Sequence, residues 1–132
     1  MARILIVEDN PANMRLVCLL LARGGHTPLC AENAQTGLAL ARVDQPDLIL
    51  MDTRMPGMDG LVATALLKKD PATAAIPVIA LTGMATQEDR EKTRLAGCDA
   101  YLTKPLRHQE FYAAIDTLLA RPGPAQPFVE RP

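Results

Sequence analysis

Apolar positions along the chain fall into five short runs separated by longer amphipathic stretches. Residues 4–7 (ILIV), 48–51 (LILM) and 78–81 (VIAL) are unbroken apolar runs, and residues 27–31 and 100–102 are weaker ones. Runs this short, apolar on both faces, suit parallel strands covered by helices on each side. The intervening segments carry helix signals. Asn10 and Pro11 supply a cap and a first-turn proline for a helix ending at Gly24 and Gly25, and Asn33 caps a second reaching about Val43. A third follows Gly60 and stops near Asp70 and Pro71. Thr86 to Asp89 opens a fourth with a capping-box-like pattern, and Gly97 stands where a left-handed C-terminal residue belongs. The fifth covers about Arg107 to Ala120.

Strand and helix thus alternate five times, which predicts an α/β fold: a doubly wound, five-stranded parallel sheet with right-handed crossovers and helices on both faces. In the first helix, helical spacing assigns Asn13, Leu16, Val17, Leu20 and Leu21 to the core, leaving Cys18, Leu19 and Ala22 beside Arg15 on the outer side. Residues 1–120 read as one domain. Residues 121–132 hold four prolines and only Phe128 and Val129 as larger apolar groups, so they read as a flexible Pro-rich tail.

Composition narrows the functions. With 132 residues the chain fits one domain, and with 3% aromatics and no Trp its core must be aliphatic. Fourteen basic against 15 acidic residues, with no long run of either sign, argue against direct nucleic-acid binding. No apolar stretch approaches the roughly 18 residues of a membrane span, and the opening run is too short for a signal peptide, so a cytoplasmic protein is expected. Cys18, Cys30 and Cys98 are odd in number and far apart, which reads as reduced packing residues, and His26 and His108 lack neighbouring ligands.

In an open parallel sheet, ligands bind beyond the carboxyl ends of the strands. Here the first run ends in Glu8 and Asp9, the third in Asp52 and the fourth in Thr82, while the fifth leads to Lys104 and Pro105. Three carboxylates held together require a cation or raised pKa values. Few protein oxygens are on offer, which favours Mg²⁺ retaining waters over a caged Ca²⁺. Lys104 adds a positive point charge for an anion and Thr82 a hydroxyl donor. A carboxylate beside a metal and a lysine can attack phosphorus, so the set predicts an aspartyl phosphate.

On ILIVEDN at 4–10, DLILMDTRMPGMDG at 47–60, PVIALTG at 77–83 and AGCDAYLTKP at 96–105, the chain resembles the receiver domains of two-component response regulators over residues 2–120. The resemblance implies strand order 2-1-3-4-5 and Asp52 as phospho-acceptor. It makes Asp9 the direct ligand of Mg²⁺, with Mn²⁺ as substitute, Glu8 a partner acting through water, and the Arg54 backbone carbonyl a further ligand. Thr82 matches the switch hydroxyl, Tyr101 the aromatic that turns inward on activation, and Lys104 the phosphate-binding lysine. The Lys104–Pro105 bond is expected to be cis. Arg54 and Met84 sit where the family tunes phosphoryl lifetime. Gly57 and Gly60 read as loop glycines serving backbone conformation.

A phosphohydrolase of the haloacid dehalogenase type wants a second Asp where Arg54 stands, and a flavodoxin wants a Ser/Thr/Gly-rich loop where Glu8 to Pro11 stands. The resemblance instead implies a stand-alone signalling switch, catalysing its own aspartyl phosphorylation and dephosphorylation and closest in phrasing to single-domain regulators of the cell-cycle type. The implied partners are a sensor histidine kinase and a histidine phosphotransferase or a downstream target. Relay intermediate and output protein both stay open, and the implied state is a monomer or weak homodimer.

Overall fold

The computed structural model describes residues 2–83, 86–120 and 129–130. Each apolar run forms a strand: β1 Arg3–Val7, β2 Thr27–Ala31, β3 Leu48–Asp52, β4 Val78–Thr82 and β5 Ala100–Thr103. The helices are α1 Pro11–Arg23, α2 Ala34–Asp44, α3 Gly60–Lys69, α4 Gln87–Ala96 and α5 His108–Leu119. All strand pairs are parallel, in the order β2-β1-β3-β4-β5. The tail expected at 121–132 lies outside the described residues except at Val129–Glu130, where a two-residue β6 runs parallel beside β5.

Strand periodicity sorts the core into two layers. Ile4, Ile6, Leu48, Leu50, Ile79, Leu81 and Leu102 meet Val17, Leu20 and Leu21 of α1 and Phe111, Ile115 and Leu118 of α5. Leu5, Val7, Ile49, Met51, Val78 and Ala80 face the other way, onto Ala34 and Ala41 of α2 and Ala63 and Leu67 of α3. On α1 the stripe is narrower than helical spacing implied. Val17, Leu20 and Leu21 are buried, but Leu16 is 45% exposed and Asn13 only half-buried. Asn13 and Leu16 border an open groove between α1 and the β5–α5 connection, where no described element covers them.

Polar residues set the helix boundaries. The Asn10 side chain accepts from the N–H groups of Ala12 (2.9 Å) and Asn13 (3.1 Å), and Asn33 accepts from Thr36 N–H (2.8 Å). Thr86 accepts from Asp89 N–H (3.1 Å) and donates to the Asp89 carboxylate, closing the capping pattern on itself. Gly97 ends α4 at φ +103°, the left-handed conformation its position implied.

Candidate functional site

The carboxyl ends of β1, β3 and β4 and the β5–α5 connection meet at one edge of the sheet. Glu8 prolongs β1, its N–H donating to Ala31 C=O at 3.0 Å, and its side chain is only 1% exposed. Asp9, next in the chain, is exposed, and Asn10 N–H donates back to Glu8 Oε2 at 3.1 Å. Asp52, last residue of β3, lies in register with Leu81 of β4 and is 5% exposed. Thr82 follows Leu81, is buried, and its carbonyl accepts from Lys104 N–H at 2.8 Å. The Lys104–Pro105 bond is cis.

Carboxylate oxygens of Glu8, Asp9 and Asp52 all lie within 4.8 Å of one another. Lys104 Nζ reaches in from β5, 3.1 Å from Glu8 Oε1 and 3.5 Å from Asp52 Oδ1. Arg54 N–H donates to Asp52 Oδ1 at 3.1 Å. These residues, with Asn10, Asn13 and Gly83, line an open cleft of about 310 Å³. Three carboxylates against one ammonium leave the cleft an excess of negative charge. Burial, followed by its hydrogen bond to Asp52, pushes the Glu8 carboxyl above the ordinary carboxylate range. Hard oxygen donors this close, one of them held from ionising by burial and a neighbouring carboxylate, are a donor set that fits a small divalent cation.

That cause carries a pH dependence. A carboxyl raised in the folded state contributes stability below its unfolded pKa and loses it as pH rises through the folded value. A divalent cation replaces the proton as counter-charge. The gain in Tm on adding Mg²⁺ in place of a chelator should therefore be large at neutral pH and shrink as pH falls through the carboxylate range. A thermal-shift series across pH checks this, and a gain independent of pH would remove Glu8 from the site.

One glycine sits otherwise than the sequence implied. Gly60 is not a loop glycine, for it is the first residue of α3, and a Cβ there would lie 2.0 Å from the Asp52 carbonyl oxygen. Gly57, at φ +80° with open space around it, does serve backbone conformation. Tyr101, expected to turn inward on activation, lies inward in this structure: it is 1% exposed, among the core residues on the α2–α3 side, with the Arg90 guanidinium 5.5 Å from its ring centroid. Met84 lies outside the described residues.

Residues 4–116 match the family model of the response regulator receiver domain. The chain is 44% identical over 120 residues to protein PilH of Pseudomonas aeruginosa, covering 91% of this chain and 99% of that protein. It is 41% identical over 116 residues to the polar-differentiation response regulator DivK of Brucella anthropi, covering 88% of this chain and 94% of the relative. Among solved structures, the receiver domain of a sensor histidine kinase from Pseudomonas aeruginosa superposes with a TM-score of 0.85 at 32% identity, over 91% of this chain and 98% of that domain. It was crystallised with a magnesium ion coordinated in its active site cleft.

Proposed function

The chain belongs to the response regulator receiver domain family, the phosphoryl-accepting switches of two-component signalling, and within that role we propose that Asp52 is the acceptor, assisted by Lys104 and a bound Mg²⁺. The supporting observation is the placing of Lys104 Nζ 3.5 Å from Asp52 Oδ1, a member of the carboxylate cluster. An Asp52 carboxylate oxygen forms the new O–P bond as the donor's N–P or O–P bond breaks, the leaving group keeping the electron pair. Lys104 is positioned to stabilise charge on the transferring oxygens, and the Arg54 N–H holds Asp52 in its rotamer. Asp9, Glu8, Asp52 and the Arg54 carbonyl would hold Mg²⁺, which would supply positive charge against the carboxylates and the phosphoryl oxygens. The Thr82 hydroxyl then offers a donor to the new phosphate and couples it to the β4–β5 end of the sheet.

The donor is a phosphohistidine on a sensor kinase or phosphotransferase. Beside the cleft, α1 exposes Leu16 and Leu19 (50%), and a groove of about 160 Å³ runs between Leu16, Val17, Pro105 and Leu106. An apolar strip bordering an acidic cleft suits a helical partner that brings its phosphohistidine to Asp52. The test is labelling of the full chain with acetyl phosphate and Mg²⁺, mapping the hydroxylamine-labile phosphate by mass spectrometry. Label mapped to any residue but Asp52 overturns the assignment. In parallel, Leu19→Glu should keep acetyl-phosphate labelling but slow transfer from a phosphorylated histidine phosphotransferase at least tenfold. Equal rates from that donor would take α1 out of the docking surface.

A further inference from the structure

Cys18 and Cys30 are twelve positions apart in sequence, and the fold sets them side by side: Cys18 Sγ on α1 lies 3.3 Å from Cys30 Sγ on β2. The register explains the meeting. Cys30 pairs with Ile6, whose side chain packs on the α1 side, so Cys30 points to the same face. Among the described residues β2 is the outermost strand on its side of the sheet, so Cys30 stays exposed while Cys18 is half-buried. The third thiol, Cys98, is buried against Thr64 between α3 and β5, and burial pushes it up to about 12.

We propose that Cys18 and Cys30 form a reversible disulfide, making the α1–β2 corner a redox site that a peroxide closes and a small thiol reopens. A disulfide S–S bond is about 2.05 Å long, so side-chain rotation bringing the sulfurs about 1.2 Å closer completes it. The exposed Cys30 sulfur is the one an oxidant meets first. It attacks a peroxide oxygen, the O–O bond breaks, and Cys30 becomes a sulfenic acid with release of water. The Cys18 sulfur attacks that sulfur, the S–O bond breaks, and a second water leaves with the Cys18 proton. Two thiols are thus oxidised by two electrons and one hydrogen peroxide is reduced to two waters. Burial, and then the hydrogen bond shared with Cys30, push the Cys18 thiol up to about 12, which keeps Cys18 from meeting the oxidant first; its place 3.3 Å from Cys30 Sγ is what gives it the second, resolving step, in which it loses its proton as it attacks. Nothing in the phosphoryl chemistry uses either sulfur. Once closed, the bond ties the middle of α1 to the sheet margin, on the helix that begins at Pro11, two residues after Asp9.

The test treats the full chain with hydrogen peroxide, unfolds it, alkylates the remaining thiols and maps them by mass spectrometry. Alkylatable thiols should fall from three to one, that one being Cys98, with a monomeric species lighter by two hydrogens and a Cys18–Cys30 cross-linked peptide. Dithiothreitol should restore all three. Cys18→Ser should lose the cross-link and let Cys30 run on to higher oxides, which shows what the neighbour does when present. Wild-type protein in which Cys30 over-oxidises while Cys18 stays alkylatable would overturn the proposal, as would disulfides found only between chains. Because the readout is the thiol chemistry, it stands or falls separately from phosphorylation at Asp52.

Discussion

Asp52→Asn is expected to abolish acetyl-phosphate labelling and, in the same protein, to raise the Tm measured in chelator. The first effect follows from removing the nucleophile, since an amide oxygen does not form the acyl phosphate. The second follows from the crowding of charge. Asp52 raises the Glu8 carboxyl both through their hydrogen bond and by like-charge repulsion, while Lys104 alone faces both. Asparagine removes one of the two charges and leaves Lys104 to pair with Glu8 at 3.1 Å. A gain of about 3 °C in Tm is the expected result, since relief of like charge at a single site is a small term for a domain of this size. The stabilisation by Mg²⁺ should shrink at the same time. Label retained at the wild-type level, or a variant that melts lower in chelator, contradicts the site as described. Thr82→Ala is the informative contrast: it keeps the nucleophile, so labelling should persist while the phosphorylated and unphosphorylated forms become harder for a partner to tell apart.

Gly60→Ala should be the most damaging glycine-to-alanine change among the described residues. Its Cβ would stand 2.0 Å from the Asp52 carbonyl oxygen, 2.8 Å from the Asp52 carbonyl carbon and 2.9 Å from Met51 Cγ. Backbone cannot swing aside as a flexible side chain does, so either α3 lifts from the sheet or the end of β3 is displaced together with the acceptor. Overpacking of this kind costs about 3 kcal/mol, roughly 10 °C in Tm. The rate of labelling at Asp52 should fall with it, because the clash is with that residue's own peptide. Gly57→Ala is the control. It faces open space and bears only the cost of its φ of +80°, about 1 kcal/mol, with Asp52 undisturbed. Equal melting temperatures for the two variants would mean that α3 yields freely and that Gly60 is no steric support of the acceptor.

Much of this protein was legible from local pattern. Unbroken apolar runs set β1, β3 and β4, since a strand covered on both faces must be apolar at every position, and each boundary falls within a residue of the run that implied it. Asn10, Asn33, Thr86 and Gly97 mark helix ends because a cap is a contact over two or three residues. The carboxylates and the lysine were readable as a set because a parallel sheet brings every strand's carboxyl end to one edge, so position in the run suffices to place them. Tertiary structure decided what depends on distance across the sheet. Leu16 has the spacing of a core residue, yet it lies 45% exposed at the groove between α1 and the β5–α5 connection. The ring of Tyr101 lies in the core with the Arg90 guanidinium of α4 over it, a contact between β5 and α4 that spacing along the chain does not carry. Gly60 is needed for the carbonyl it almost touches, eight residues earlier in the chain, and no turn signal carries that information. Cys18 and Cys30 look unrelated as a pair of positions, and become neighbours because the β1–β2 register turns Cys30 to the face that α1 covers.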